Sequence, residues 1–242
     1  MSALEENLFT GQIGAEYDML RLMCPKAPAL AHKLAAYVAA WRSEDGPLKG
    51  FEIGCGTGIS TLELLAARGD LKLTAIDSAA KMLDQARVNL ADHVAAGRVE
   101  FFEADALQAL CALPQASVDL VASNYAIHNF LDDYRGLVIA EIHRVLKPGG
   151  LFINGDRYAI DDRAAHLAET QAEVRRWFKL FKDMDRLDLL EDWIVHLYSD
   201  ESADHIMYFT PALERLRALG FVVTVEYRDG VDTLVTAIKS GA

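Results

Sequence analysis

The run FEIGCGTG, residues 51–58, leaves an apolar stretch through Gly54, Gly56 and Gly58 and then opens into Ile59-Ser60-Thr61. Alternate glycines let the backbone take positive φ and come close to a ligand, and the free amides of a helix start attract anionic or polar groups. The same pattern serves as a plain strand-to-helix turn or as the entrance of a dinucleotide site. Asp77 closes the next apolar run, where a carboxylate can accept hydrogen bonds from both hydroxyls of a ribose. A nicotinamide cofactor would want the same residue there. Glu103-Ala104-Asp105 closes the third run, so that Asp105 with the amide of Ala106 can read the edge of an adenine ring, and Asn124 closes the fourth. Polar residues at four successive strand ends mark the edge at which open α/β sheets bind ligands.

The elements that would carry these residues alternate in type. Short β-rich runs at 49–53, 71–76, 98–102, 118–123 and 150–154 are separated by amphipathic stretches near 59–68, 79–92 and 133–146. That alternation predicts βαβ units and a parallel sheet. Thr210 reads as a helix N-cap with Pro211 in first position, and Asp229-Gly230 turns FVVTVEY back into TLVTAIK. The fold expected is therefore α/β, a Rossmann-like and mostly parallel seven-stranded sheet with an antiparallel C-terminal hairpin strand and a helical lid. One domain over 1–242 is expected, with an N-terminal helical cap at 1–42 and a lid insertion at 161–205.

Composition narrows the function. With 242 residues, 52% of them hydrophobic, the chain can bury one large core. A net charge of −12 opposes binding to a phosphate backbone, so nucleic acid is not expected as a partner. Neither a membrane span nor a secretory leader is evident, and three scattered cysteines suit a reduced, cytoplasmic setting. His196, Asp200, Asp204 and His205 suit a solvated acidic turn as well as a metal, and no metal is expected.

As an ensemble, FEIGCGTG, AID, EAD, VDLVASNYAIH and VLKPGG, in order over 50–154, resemble the class I S-adenosylmethionine-dependent methyltransferases. The ends of the chain, with IGAEYDMLRLMCP and LFINGDRY, look like the small-molecule branch that includes the carboxy-S-adenosylmethionine synthases. The resemblance implies S-adenosyl-L-methionine as cofactor, with Glu52 and Gly54 near its methionine part, Asp77 on the ribose and Met82 against the adenine. Tyr17 and Arg21, one helical turn apart, would close over it, or else serve as a core anchor and a surface charge. The implied reaction is methyl transfer to a small-molecule acceptor. Carboxy-S-adenosylmethionine synthesis, cyclisation of the cofactor's aminobutyrate chain with release of methylthioadenosine, and a silent cofactor-binding subunit are the alternatives. SNYA lacks the prolines of the NPPY-like motif of base-amino methyltransferases, which again favours a metabolite. A homodimer remains open.

Direct displacement needs an aligned nucleophile, exclusion of water and a proton acceptor. The candidates follow strands four and five: Asn124 and His128, then Arg157 and Tyr158, with Tyr125 and Asp156 beside them. His128 is the candidate base, or a residue that only packs on the helix near Asp132. Arg157 can clamp a carboxylate or pair with Asp161 or Asp162, and Tyr227 and Arg228 reach the same edge from another strand.

Overall fold

The computed structural model describes residues 25–41 and 47–241. Seven strands form one sheet in the order β3-β2-β1-β4-β5-β7-β6: β1 (Leu48–Ile53), β2 (Leu71–Asp77), β3 (Val99–Glu103), β4 (Val118–Asn124), β5 (Leu146–Arg157), β6 (Phe221–Asp229) and β7 (Asp232–Lys239). The first five pair in parallel, while β7 lies antiparallel between β5 and β6. The expected architecture is thus observed, and its order reverses between β1 and β4, where a ligand crevice opens at the carboxyl edge.

Nine α-helices flank the sheet among the described residues: α1 (Lys26–Ala40), α2 (Ile59–Ala67), α3 (Ala80–Asn89), α4 (Ala91–Ala95), α5 (Ala106–Ala112), α6 (Asp132–Val145), α7 (Arg163–Asp183), α8 (Leu187–Asp200) and α9 (Phe209–Ala218). Alternate strand residues feed two cores, as period two requires. On one face Phe51, Val121, Phe152 and Val235 meet Val138 and Ile142 of α6 and Leu213 of α9. On the other Leu120, Leu151 and Leu234 meet Leu30, Leu34 and Val38 of α1 with Leu64 of α2.

In the described part of the N-terminal cap, α1 packs its apolar stripe on the sheet, with Ala27 and Pro28 at its start lining a cavity over the carboxyl edge. Two expectations change. β5 runs on to Arg157, well beyond the expected end at 154. Thr210 does not cap α9: the helix starts at Phe209 with Tyr208 as N-cap, and the Thr210 amide and hydroxyl donate to Asp161 at 2.9 and 2.7 Å. That carboxylate, arriving from the loop before α7, supplies the acceptor a capping side chain would have offered.

The 161–205 insertion is helical, as expected, and α7 and α8 hold a cluster of their own, Trp177, Phe181, Leu189, Leu190, Trp193 and Leu197, apart from the two sheet cores. A satellite core opens independently of the main one. Amide hydrogen exchange across Arg163–Asp200 should therefore be faster than in β1, β4 and β5. Equal protection would place the helices within the cooperative unit of the sheet.

Candidate active site

The loop after β1 is shaped by a contact. Gly54 has φ +67° and a Cβ there would stand 2.3 Å from the Ala126 Cβ, so the turn after β4 can press against the loop only where the side chain is missing. Gly155 is constrained likewise, since a Cβ would meet Asn124 Oδ1 at 2.8 Å. Asp77, at the end of β2, accepts the Gly56 amide at 2.8 Å and the Ala79 amide at 2.9 Å, one on each oxygen. Burial raises its pKa against the opposing pull of these amides.

Glu52 departs from expectation. It is fully buried beneath the loop, not in the cavity wall, and accepts the hydroxyls of Ser60 and Thr61 at 2.6 Å each. Burial, with the nearby Asp77 charge in the same sense, pushes its pKa up to about 7 despite those two bonds. Glu52 therefore braces the first turn of α2. Burial also raises the Cys55 thiol far above its usual range, with Glu52 and Asp77 adding to it, so Cys55 stays protonated.

Above the carboxyl edge lies a cavity of about 700 Å³. Gly54, Gly56, Asp77, Met82, Asp105 and Ala106 line it at one end, and Asn124, His128 and Arg157 further along. Asp105 caps α5 through the Gln108 amide at 2.8 Å and accepts the Tyr134 hydroxyl at 2.7 Å. Asn124 donates to the Ala27 carbonyl at 3.3 Å, while its buried Oδ1 has no partner among the described residues.

His128 sits in a short 3-10 turn (Ile127–Asn129) with its Nδ1 2.5 Å from Asp156 Oδ1. Asp156 is wholly buried and also accepts the His128 amide at 3.2 Å, the Arg157 amide at 2.9 Å and Asn154 Nδ2 at 3.2 Å. A carboxylate so held fixes the tautomer and orientation of the ring, leaving Nε2 as the nitrogen able to take a proton. Tyr125, left-handed at φ +55°, stands edge-on to the His128 ring at 6.0 Å and donates its hydroxyl to Asp232. Lys26 bridges Asp232 and Asp229 at 3.0 and 2.9 Å, tying the start of α1 to the β6–β7 turn.

Arg157 faces the cavity, yet its guanidinium pairs neither with Asp161 nor with Asp162. It grips Glu173 of α7 in bidentate fashion at 2.9 and 2.8 Å. Burial would raise the Glu173 pKa, but the Arg157 charge and hydrogen bonds prevail and lower it. Tyr158, proposed with the reacting groups, is a core residue: its hydroxyl accepts from Asn154 Nδ2 at 2.9 Å, and it lines a separate cavity of about 230 Å³ behind β5. Burial, with Asp156 in the same sense, raises its pKa and keeps it protonated. Arg228 is exposed, 3.6 Å over the Phe209 ring, and Tyr227 lies under Lys33 at 4.4 Å, so neither joins the cavity wall. Tyr17 and Arg21 lie outside the described residues.

Tyr134, Asn129, Trp177 and Trp193, not picked out from sequence as site residues, complete the wall with His196 and Asp200, which the sequence offered for a metal or an acidic turn. The aromatic spacing in the insertion was the available signal, but a helical stripe does not say which cavity it roofs.

Residues 51–150 match a family model described as a methyltransferase domain. A carboxy-S-adenosyl-L-methionine synthase of Photobacterium profundum is 25% identical over 118 residues, which is 48% of this chain and 47% of that protein. A demethylmenaquinone methyltransferase of Leptospira interrogans is 34% identical over 111 residues, 46% and 43% of the two chains. The matches thus span about half the length of these curated relatives. An O-methyltransferase family protein of Burkholderia thailandensis shares the fold, with a TM-score of 0.66 at 21% identity over 98% of this chain and 63% of that one. Residues 51–150 are thus similar to a methyltransferase domain, and the sheet has the fold of solved methyltransferases. S-adenosyl-L-methionine is the cofactor that this similarity implies. The residues fit the group: Gly54 leaves a cradle that a Cβ would fill, Asp77 keeps lone pairs for a diol, and Met82 and Ala106 offer apolar walls for a base.

Asp77→Asn should weaken S-adenosylhomocysteine binding by about 1.5–3 kcal/mol per charge-assisted bond lost. Calorimetry checks this, and unchanged affinity would remove Asp77 from the site. Glu52 has a different readout. Its folded pKa of about 7 lies above the ordinary 4.5, so its contribution to stability is complete below pH 4.5 and disappears as pH rises through 7. The gap corresponds to up to about 3 kcal/mol. Urea unfolding from pH 5 to pH 8 should show this loss in the wild type and not in Glu52→Gln, whereas parallel curves would mean that Glu52 is ionised throughout.

Proposed function

We propose that the protein transfers the methyl group of S-adenosylmethionine to a small-molecule acceptor that His128 deprotonates. The observation that carries this reading is a single cavity joining the Gly54–Gly56 loop and Asp77 to the His128–Asp156 pair under α7 and α8. When bound, the cofactor supplies an electrophilic methyl on a sulfonium. Asp77 would hold its ribose, Asp105 and the Ala106 amide the adenine edge, and Met82 the adenine face. His128 takes the acceptor's proton on Nε2, and the buried Asp156 charge stabilises the imidazolium that results. Asn124 Oδ1, still without a partner among the described residues, can accept a bond from cofactor or acceptor. Helices α7 and α8 act as the lid that keeps water from the reacting atoms, with Glu173 fastened to Arg157.

Carboxy-S-adenosylmethionine synthesis, suggested by the names of several relatives, would call for an anion clamp. Arg157 is the one arginine or lysine among the described lining residues, and Glu173 already neutralises it. A histidine backed by a buried carboxylate instead suits removal of a proton from a hydroxyl or an acidic carbon.

Mass spectrometry of the products separates the chemistries: methyl transfer releases S-adenosylhomocysteine and cyclisation releases methylthioadenosine. His128→Asn, which retains a donor toward Asp156, should lower kcat about 100-fold or more while leaving the cofactor Kd within about twofold. Equal losses in both would make His128 a structural residue.

A further inference from the structure

The lid side of the cavity carries polar atoms that methyl transfer itself does not use. Trp177 and Trp193 meet at 6.0 Å between centroids, tilted by 57°, and His196 stands edge-on to Trp193 at 5.8 Å. All three rings are buried and all three line the cavity, forming an aromatic corner in its wall. Yet Trp177 Nε1 has no hydrogen-bond partner among the described residues, and the same holds for Asp200 Oδ1 and Asn129 Oδ1 on the same wall. Asp200 Oδ2 lies 3.5 Å from His196 Nε2, so the carboxylate is positioned on one oxygen and open on the other. Burial disfavours the charged form of His196, which keeps this wall a neutral ring beside an acceptor oxygen.

A buried polar atom left unpaired costs free energy that a bound ligand can recover. Among the described residues the compartment offers flat apolar walls, the unpartnered indole N–H of Trp177 and buried acceptors, and its guanidinium, that of Arg157, is already paired with Glu173. Such a set matches a flat, uncharged molecule with hydroxyl groups better than a carboxylate or an aliphatic chain. Resting on the methyl-transfer reading, we infer that the acceptor is a planar aromatic or enolic compound with two oxygen substituents, one presented to His128 and the second a hydroxyl donating to Asp200. The indole N–H of Trp177 supplies a donor to these oxygens, and the corner of Trp177 and Trp193 receives the ring.

The test uses the full chain saturated with S-adenosylhomocysteine and measures calorimetric Kd values for a naphthol and for the dihydroxynaphthalenes. At least one dihydroxynaphthalene should bind about tenfold more tightly than the naphthol, as one added charge-assisted hydrogen bond implies. Asp200→Ala should abolish that advantage without changing naphthol affinity, its S-adenosylhomocysteine Kd serving as the check on folding. Equal affinity of the mono- and dihydroxy probes for the wild type would overturn the inference without recourse to any variant. So would an advantage that survives in Asp200→Ala. Turnover with S-adenosylmethionine is recorded separately: a dihydroxy preference without methylation of any probe counts against the methyl-transfer reading and leaves the preference of the compartment standing.

Discussion

The site depends on a carboxylate that has no access to water. Asp156 is fully buried, and such a charge persists only where donors replace its hydration. Two of them come from the turn after β4, the His128 amide and ring, and two from β5 itself, the Arg157 amide and Asn154. The requirement of one charge thus joins the ends of two strands. It also sets the direction of the His128 ring, because Nδ1 has to satisfy Asp156 before Nε2 can do anything else.

From the same strand end the structure reaches its cover. Arg157 stands next to Asp156 and grips Glu173 on α7, so the residue that helps hold the carboxylate with its backbone holds the helical insertion with its side chain. The desolvation of this ion pair is offset by bidentate geometry and by a second cation, Arg176, at 3.3 Å from Glu173. Since α7 and α8 own a separate core, that bridge ties the insertion to the strand end that carries Asp156, alongside the Asp132 amide on the Asp204 carbonyl and Arg135 on that of His205. Movement of the insertion is thereby coupled to the place where the proton would be taken up.

Much of the frame was legible in the residues. Strands buried on both faces read as apolar runs, and polar residues fall where those runs stop, so Asp77, Asp105, Asn124 and His128 were placed at the correct edge. What was not legible depends on facing. With β5 expected to end at 154, the alternation beyond it was invisible, and that alternation sends Asp156 and Tyr158 to the side of Asn154 and Arg157 toward the cavity. Glu52 misled for the same reason. It alternates with Phe51 and Ile53, which face the opposite core, and so points at Ser60 and Thr61 under the loop. Glu173 lies in the middle of a long helix, and no spacing rule relates it to Arg157.

Charge completes the physical picture. Asp77, Asp105 and Asp200 line the cavity, and the one guanidinium among its described residues is neutralised by Glu173. Poorly hydrated carboxylates act over longer distances than exposed ones, because little water lies between them and a ligand. A cavity lined by these carboxylates would favour a cationic sulfonium over a neutral thioether. Glu52 adjusts this balance from below: with a pKa near 7 it is partly protonated at neutral pH, which limits the repulsion it exerts on Asp77. Full ionisation of both would strengthen the negative field at the loop and the bonds from Ser60 and Thr61, but it would leave two close charges away from water, so burial sets how acid-rich the site is.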